Sequence, residues 1–230
     1  MAGMGSDNRK EYPNIIVFDL ETGGFSPQKH PLIEFAAIAI NNNLEEVGRC
    51  EWVVLPYSDE KEYTPGAFKA NGFTMGEIHK RGIDSSIVMK ELVAFLESMK
   101  VAPRTGITMV PDSKPVMCGH NIDAFDLPFL TQFFKDHKYD LDKFISTKAT
   151  IDTMKEAQKF FGHSGYPFKN HQLGTCCKYI GHPLVDAHRA MNDVEGNLKL
   201  VKYFLESVRG TGKPREVETE DRYRENFKLS

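Results

Sequence analysis

The chain has 230 residues, 40% of them hydrophobic and 27% charged, which is enough apolar material for one sizeable core plus a tail. A net charge of −3 argues against a protein that grips nucleic acid through a broad basic surface, although carboxylates that hold cations could still receive phosphate oxygens. No run approaches the roughly 18 apolar residues of a membrane span, and residues 1–13 lack the apolar centre of a secretion signal. Cys50, Cys118, Cys176 and Cys177 show neither CxxC spacing nor paired histidines. The expectation is a soluble, cytoplasmic protein with reduced thiols, no disulfide framework, no zinc and no membrane partner.

In chain order, residues 14–22 (NIIVFDLET) form a β-prone run, and Ile15 to Leu20 are apolar on both alternating faces, as in a central buried strand. IEFAAIAI at 33–40, an Asn-rich turn at 41–43 and RCEWVVL at 49–55 predict an antiparallel hairpin. A segment rich in turn residues follows at 64–82. Residues 86–99 then place Met89, Leu92, Phe95, Leu96 and Met99 on one helical stripe. The prolines and glycine of 101–115 read as a long loop before a short strand at 116–119.

Helical spacing returns at 124–137. It starts again near 150–161 with Asp152 as a candidate N-cap, appears briefly at 172–180, and runs from about Ala187 to Ser207. Residues 208–230 are charged, punctuated by Gly and Pro, and read as a mobile tail after a core domain spanning 14–207 and an extension at 1–13. Strands, a helix, further β structure and then helices describe an α/β domain with a mixed central sheet flanked by helices.

Asp19 and Glu21 are two apart on the first strand, so their side chains share one face at its end. Like charges there repel, and a divalent cation between them would remove the cost; oxygen-only ligands favour Mg2+ or Mn2+. Thr22, Gly23 and Gly24 follow, whose glycines permit a close backbone approach, and then Phe25, which could stack on a base or belong to the core. Asp123 and Asp126 both follow His120 and Asn121 at the end of the predicted strand, and either could be a helix-start acid or a cap. His188 and Asp193 are five residues apart, roughly 140° around a helix, so His188 belongs on the preceding loop or first turn, with Gly196 leaving room beside Asp193. Glu34 could support the acids or form a salt bridge.

Taken in order, FDLETGG at 18–24, HNIDAFDLPFL at 120–130 and HRAMND at 188–193 resemble the three motifs of the DEDDh exonuclease superfamily. That superfamily includes the DNA polymerase III epsilon proofreading subunit and the TREX and RNase T families. The resemblance spans about residues 14–207 and implies an RNase H-like fold. It further implies two Mg2+ or Mn2+ ions held by Asp19, Glu21, Asp126 and Asp193, with His188 as general base. Substrate contacts would come from Thr22, Gly23, Phe25, His120 and Asn121. The implied activity is 3′→5′ hydrolysis of a nucleic acid with a single-stranded 3′ end, DNA favoured, releasing nucleoside 5′-monophosphates. A polymerase or replisome partner, docked through the tail, is the alternative setting; an RNA-directed exoribonuclease is another.

Overall fold

The computed structural model describes residues 13–101, 114–162, 170–184 and 189–210. Five strands form one mixed sheet: β1 (Ile15–Thr22), β2 (Leu32–Ile40), β3 (Glu46–Val53), β4 (Val116–Gly119) and β5 (Ser146–Asp152), in the order β3-β2-β1-β4-β5. β1 pairs antiparallel with β2 and parallel with β4, and β4 pairs parallel with β5. The central position of β1 explains its apolar residues on both faces. β2 is buried along its whole length, whereas the alternating exposure of β3 is that of an edge strand.

Seven α-helices complete the described fold: α1 (Pro65–Asn71), α2 (Met75–Arg81), α3 (Ser85–Ser98), α4 (Asp126–Asp136), α5 (Thr153–Gly162), α6 (Leu173–Tyr179) and α7 (Ala190–Arg209). On one face of the sheet, Ile16, Phe18, Leu20, Phe35 and Ala37 pack with Leu92 and Leu96 of α3 and with Phe129, Leu130 and Phe133 of α4. On the other, Val17, Ala36, Ile38, Ile40 and Cys118 receive Ala190, Val194, Leu198 and Val201 of α7. Steps of four, four and three put these α7 residues on one stripe. Helices on both faces of a mixed sheet are the expected RNase H-like layering, and the element boundaries fall within a few residues of the sequence reading.

Two departures are local. The 64–82 segment contains α1 and α2, each started by a threonine whose hydroxyl accepts a backbone N–H: Thr64 from Ala67 and Thr74 from Glu77. β5 occupies residues that carry little apolar signal, and α5 begins after it, with Asp152 Oδ1 accepting from Met154 N at 3.1 Å as a cap. The expected extension at 1–13, except Pro13, lies outside the described residues, as do most of the 101–115 loop and of the 208–230 tail. No helix among the described residues is long and apolar enough to cross a membrane. All four cysteines are free, and Cys118, Cys176 and Cys177 are buried.

Candidate active site

The site begins where β4 stops. β4 pairs with β1 only opposite Ile15, Ile16 and Val17, so Asp19 and Glu21 run on beyond its end. The chain leaves β4 sharply at Gly119, where a Cβ would sit 2.0 Å from Ile122 Cγ2 and 2.9 Å from the Phe18 carbonyl oxygen, which explains the glycine. Asn121 then adopts a left-handed conformation (φ 66°), and the turn delivers Asp126 to the first residue of α4. Asp126 Oδ1 accepts the Leu20 N–H at 3.2 Å, occupying a strand donor that β4 no longer reaches.

Asp19 and Glu21 face the same side of the sheet as Val17, the side covered by α7. Asp193 sits in the first turn of α7. One carboxylate oxygen from each of Asp19, Glu21 and Asp193 lies within 4.8 Å of the other two. Asp126, at the start of α4, is buried, and its charge acts on both Asp19 and Glu21. His188, expected to complete this set, lies outside the described residues.

Burial is the largest cause pushing the Asp19 carboxyl well above its ordinary range, followed by repulsion from Asp126, Glu21 and Asp193. Glu21 is pushed up to about 8, again by burial first and then by Asp193, Glu34 and Asp126, with Arg189 pulling the other way. Asp126 rises to about 7 through burial, although the N–H groups of Leu20 and of Asp126 itself oppose the rise. Several acids that resist ionising together, all offering oxygen and no sulfur or imidazole among the described members, suit hard divalent cations of the Mg2+ or Mn2+ type.

The expected substrate contacts occupy different environments. Phe25 is 82% exposed, its ring 6.4 Å from Phe125, so the core alternative for it does not hold. Thr22 is buried, its hydroxyl donating to the Gly24 carbonyl at 2.7 Å. Gly23 is pressed between Pro31 and the Glu62 carbonyl; its N–H donates to Pro31 O, and its carbonyl accepts from Thr64 N. His120 is turned inward, with Nδ1 3.0 Å from Thr153 Oγ1 and Nε2 2.8 Å from the His171 carbonyl. The Asn121 backbone N–H donates to Asp152 Oδ1 at 3.0 Å. Asp123 stands apart, bonded to Lys155 and to Thr150 Oγ1.

Two further residues read differently in three dimensions. Gly196 makes room for Leu184 and Cys177, since a Cβ would meet Leu184 Cδ2 at 2.1 Å; it does not clear space for Asp193. The buried pair Thr153 and Asn197, not singled out in the sequence, is joined at 2.7 Å and ties α5 to α7, while Thr153 also reaches the Gly119 carbonyl. Neither residue has a motif spacing that would flag it.

A family model described as "Exonuclease" (RNase_T) matches residues 16–113. The PolC-type DNA polymerase III of Halalkalibacterium halodurans is 30% identical over 181 residues, covering 78% of this chain and 10% of that protein. Protein NEN3 of Arabidopsis thaliana is 28% identical over 215 residues, covering 90% of this chain and 37% of that one. The chain therefore spans well under half the length of these relatives. Among solved structures, a zinc-bound form of the E. coli exonuclease I complex with single-stranded DNA aligns with a TM-score of 0.70 at 21% identity, covering 88% of this chain and 41% of that one.

Proposed function

We propose that this chain, which carries an exonuclease domain of the DEDD family, is a metal-dependent 3′→5′ exonuclease of the DEDDh type acting on single-stranded nucleic acid, DNA in preference to RNA. The convergence of Asp19, Glu21 and Asp193 within 4.8 Å is the observation that carries the reading. The resemblance of the fold to an exonuclease whose complexes contain single-stranded DNA supports that choice of substrate.

Asp19, Glu21, Asp126 and Asp193 would hold two divalent cations, Mg2+ or Mn2+. When bound, such ions polarise the scissile phosphate, make a nucleophile of water at neutral pH and stabilise the leaving oxygen. His188 would take the proton of the attacking water, a task suited to a group whose unperturbed pKa lies near neutrality. Hydrolysis by this route releases a nucleoside 5′-monophosphate. Phe25, projecting beside Phe125, offers a face on which the terminal base could stack, and Thr22 and Gly23 shape the backbone beneath it. The inward bonds of His120 and the tether on Asn121 suit them to supporting the turn that carries Asp126.

The test is digestion of 3′-labelled and 5′-labelled DNA and RNA oligonucleotides, single-stranded and duplex, with Mg2+ and then with EDTA. Expected are mononucleotides released from the 3′ end of single strands, stopped by EDTA and abolished in Asp19→Ala and His188→Ala. Full Mg2+-dependent digestion by either purified variant would sink the assignment. A second reading, a proofreading module working beside a polymerase, is favoured by the 30% identity to a segment of a PolC-type polymerase. It predicts faster removal of mismatched than of paired primer ends and tail-dependent co-purification with a polymerase. Equal rates on both ends, with no such association, would leave the free-standing nuclease.

A further inference from the structure

Helix α7 carries Asp193 in its first turn, and the residue before it, Arg189, supplies no side-chain cap. The need is met from across the molecule. Glu34 of β2 reaches under the helix, and its Oε2 accepts the Ala190 N–H at 3.1 Å. Glu34 is fully buried and lies directly opposite Glu21 in the antiparallel β1–β2 register. Its other oxygen is 3.5 Å from Arg81 Nη2.

A buried carboxylate beside Asp19 and Glu21 adds repulsion to both, so its presence calls for a compensating role. We infer that Glu34 is a positioning residue that caps α7 in trans and thereby fixes Asp193 against Asp19 and Glu21. A free amide at a helix start carries partial positive charge, and a charged acceptor binds it more strongly than a neutral one. Because Glu34 belongs to the strand that pairs with β1, its bond references the helix directly to the strand bearing Asp19 and Glu21. A cap within α7 would leave the helix free to slide over the sheet with its own acid.

The neighbouring residue is held as well. Arg189 places its guanidinium 4.6 Å from the Phe73 ring centroid, and its Nη2 lies 2.8 Å from Glu77 Oε1. Glu77 also pairs with Arg81 at 3.1 Å, so α2 and β2 hold the start of α7 through one connected set of charges. Asp193 N donates to the Arg189 carbonyl at 3.1 Å, which carries the restraint one turn along to the acid. Shape alone would not require a hydrogen-bond acceptor at position 34; the Ala190 amide does.

The consequence for metal binding rests on the proposed exonuclease reading, whereas the cap itself can be tested without it. The full chain is compared with Glu34→Ala, which removes acceptor and charge, and Glu34→Gln, which keeps an acceptor oxygen. Amide hydrogen exchange of residues 190–193, Mn2+ affinity by calorimetry, and kcat and KM on a single-stranded oligonucleotide are measured. Glu34→Ala should exchange faster at 190–193 with 198–205 still protected and bind Mn2+ about 10-fold or more weakly. Its kcat should fall, with the oligonucleotide KM little changed. Glu34→Gln should recover most of each quantity. Wild-type-like exchange and Mn2+ affinity in Glu34→Ala overturn the inference, as does a loss in Glu34→Gln as large as in Glu34→Ala, which would assign the effect to charge. Should Glu34→Ala fail to fold, the Gln variant decides by the same readouts. If the wild type binds no Mn2+ and digests nothing, the exonuclease reading fails while the exchange comparison still judges the cap.

Discussion

Titrating Mn2+ into the metal-free protein at pH 7 should release about one proton or more per molecule, because a cation binds ionised carboxylates and some of these begin protonated. Glu21, pushed up to about 8, carries a proton at that pH and Asp126 near 7 is about half-protonated, while burial and its acidic neighbours shift Asp19 in the same direction. The rise of Glu21 from 4.5 to about 8 corresponds to on the order of 5 kcal/mol of charging penalty once the pH exceeds the higher value. The sign for stability follows from the raised folded-state value. The contribution of Glu21 to the metal-free fold is fully present below about pH 4.5 and is lost as the pH climbs through about 8. Calorimetry in two buffers of different ionisation enthalpy counts the protons, and melting curves of the wild type and Glu21→Gln at pH 5 and pH 8.5 read the stability. The variant should gain on the wild type as the pH rises. Zero proton release at pH 7, or a melting difference that does not change with pH, would refute the electrostatic account.

Three other outcomes follow from the geometry. Asp126→Asn should weaken Mn2+ binding severely while Asp123→Asn leaves it within twofold, since Asp123 is bonded to Lys155 away from the cluster; equal losses by calorimetry would remove the distinction. Gly119→Ala should cost about 1–3 kcal/mol in denaturant unfolding, because its Cβ would overlap Ile122 and crowd the Phe18 carbonyl; a wild-type midpoint would show that the turn has slack. Phe25→Ala should leave the melting temperature unchanged, the side chain being 82% exposed, yet weaken oligonucleotide binding by about 1–3 kcal/mol if a base stacks there. Unchanged binding in Ca2+-containing buffer would remove Phe25 from the substrate contacts.

The layering of the fold was legible because it rests on strong periodic signals: the doubly apolar β1, the unbroken run of β2 and the four-four-three stripe of α7. β5 was not, since Ser146 to Asp152 includes few apolar residues and becomes a strand by pairing with β4. α1 and α2 hid in a segment read as turn, although Thr64 before Pro65 and Thr74 three residues before Glu77 are local helix-start signals that could have been used. Within the site, the two-residue spacing of Asp19 and Glu21 announced a shared face from β periodicity alone. That Asp193 meets them depends on where α7 crosses the sheet, which no local spacing encodes. The inward turn of His120 and the bond from Glu34 to Ala190 are likewise tertiary facts, set by elements 51 and 156 residues away.

The described residues supply Asp19, Glu21 and Asp126 with partial positive charge, and the amount falls short. Asp126 opens α4 and Asp193 lies in the first turn of α7, so two helix N-termini are directed at the carboxylates. The Leu20 N–H adds a donor to Asp126, and Arg189 acts on Glu21 from the side. Even with these contributions Glu21 stays near 8 and Asp126 near 7, because helix dipoles and single amides are each worth on the order of 1 kcal/mol whereas burying a carboxylate among others costs several. A stably folded domain could have neutralised such a cluster with lysines or arginines. Among the described residues, Lys61 pairs with Asp136, and Arg81 with Glu34, Glu51 and Glu77, none of them among Asp19, Glu21 and Asp126. The deficit left at the end of β1 is of the size and geometry that a doubly charged cation removes, and this is the physical ground for reading the cluster as a metal site.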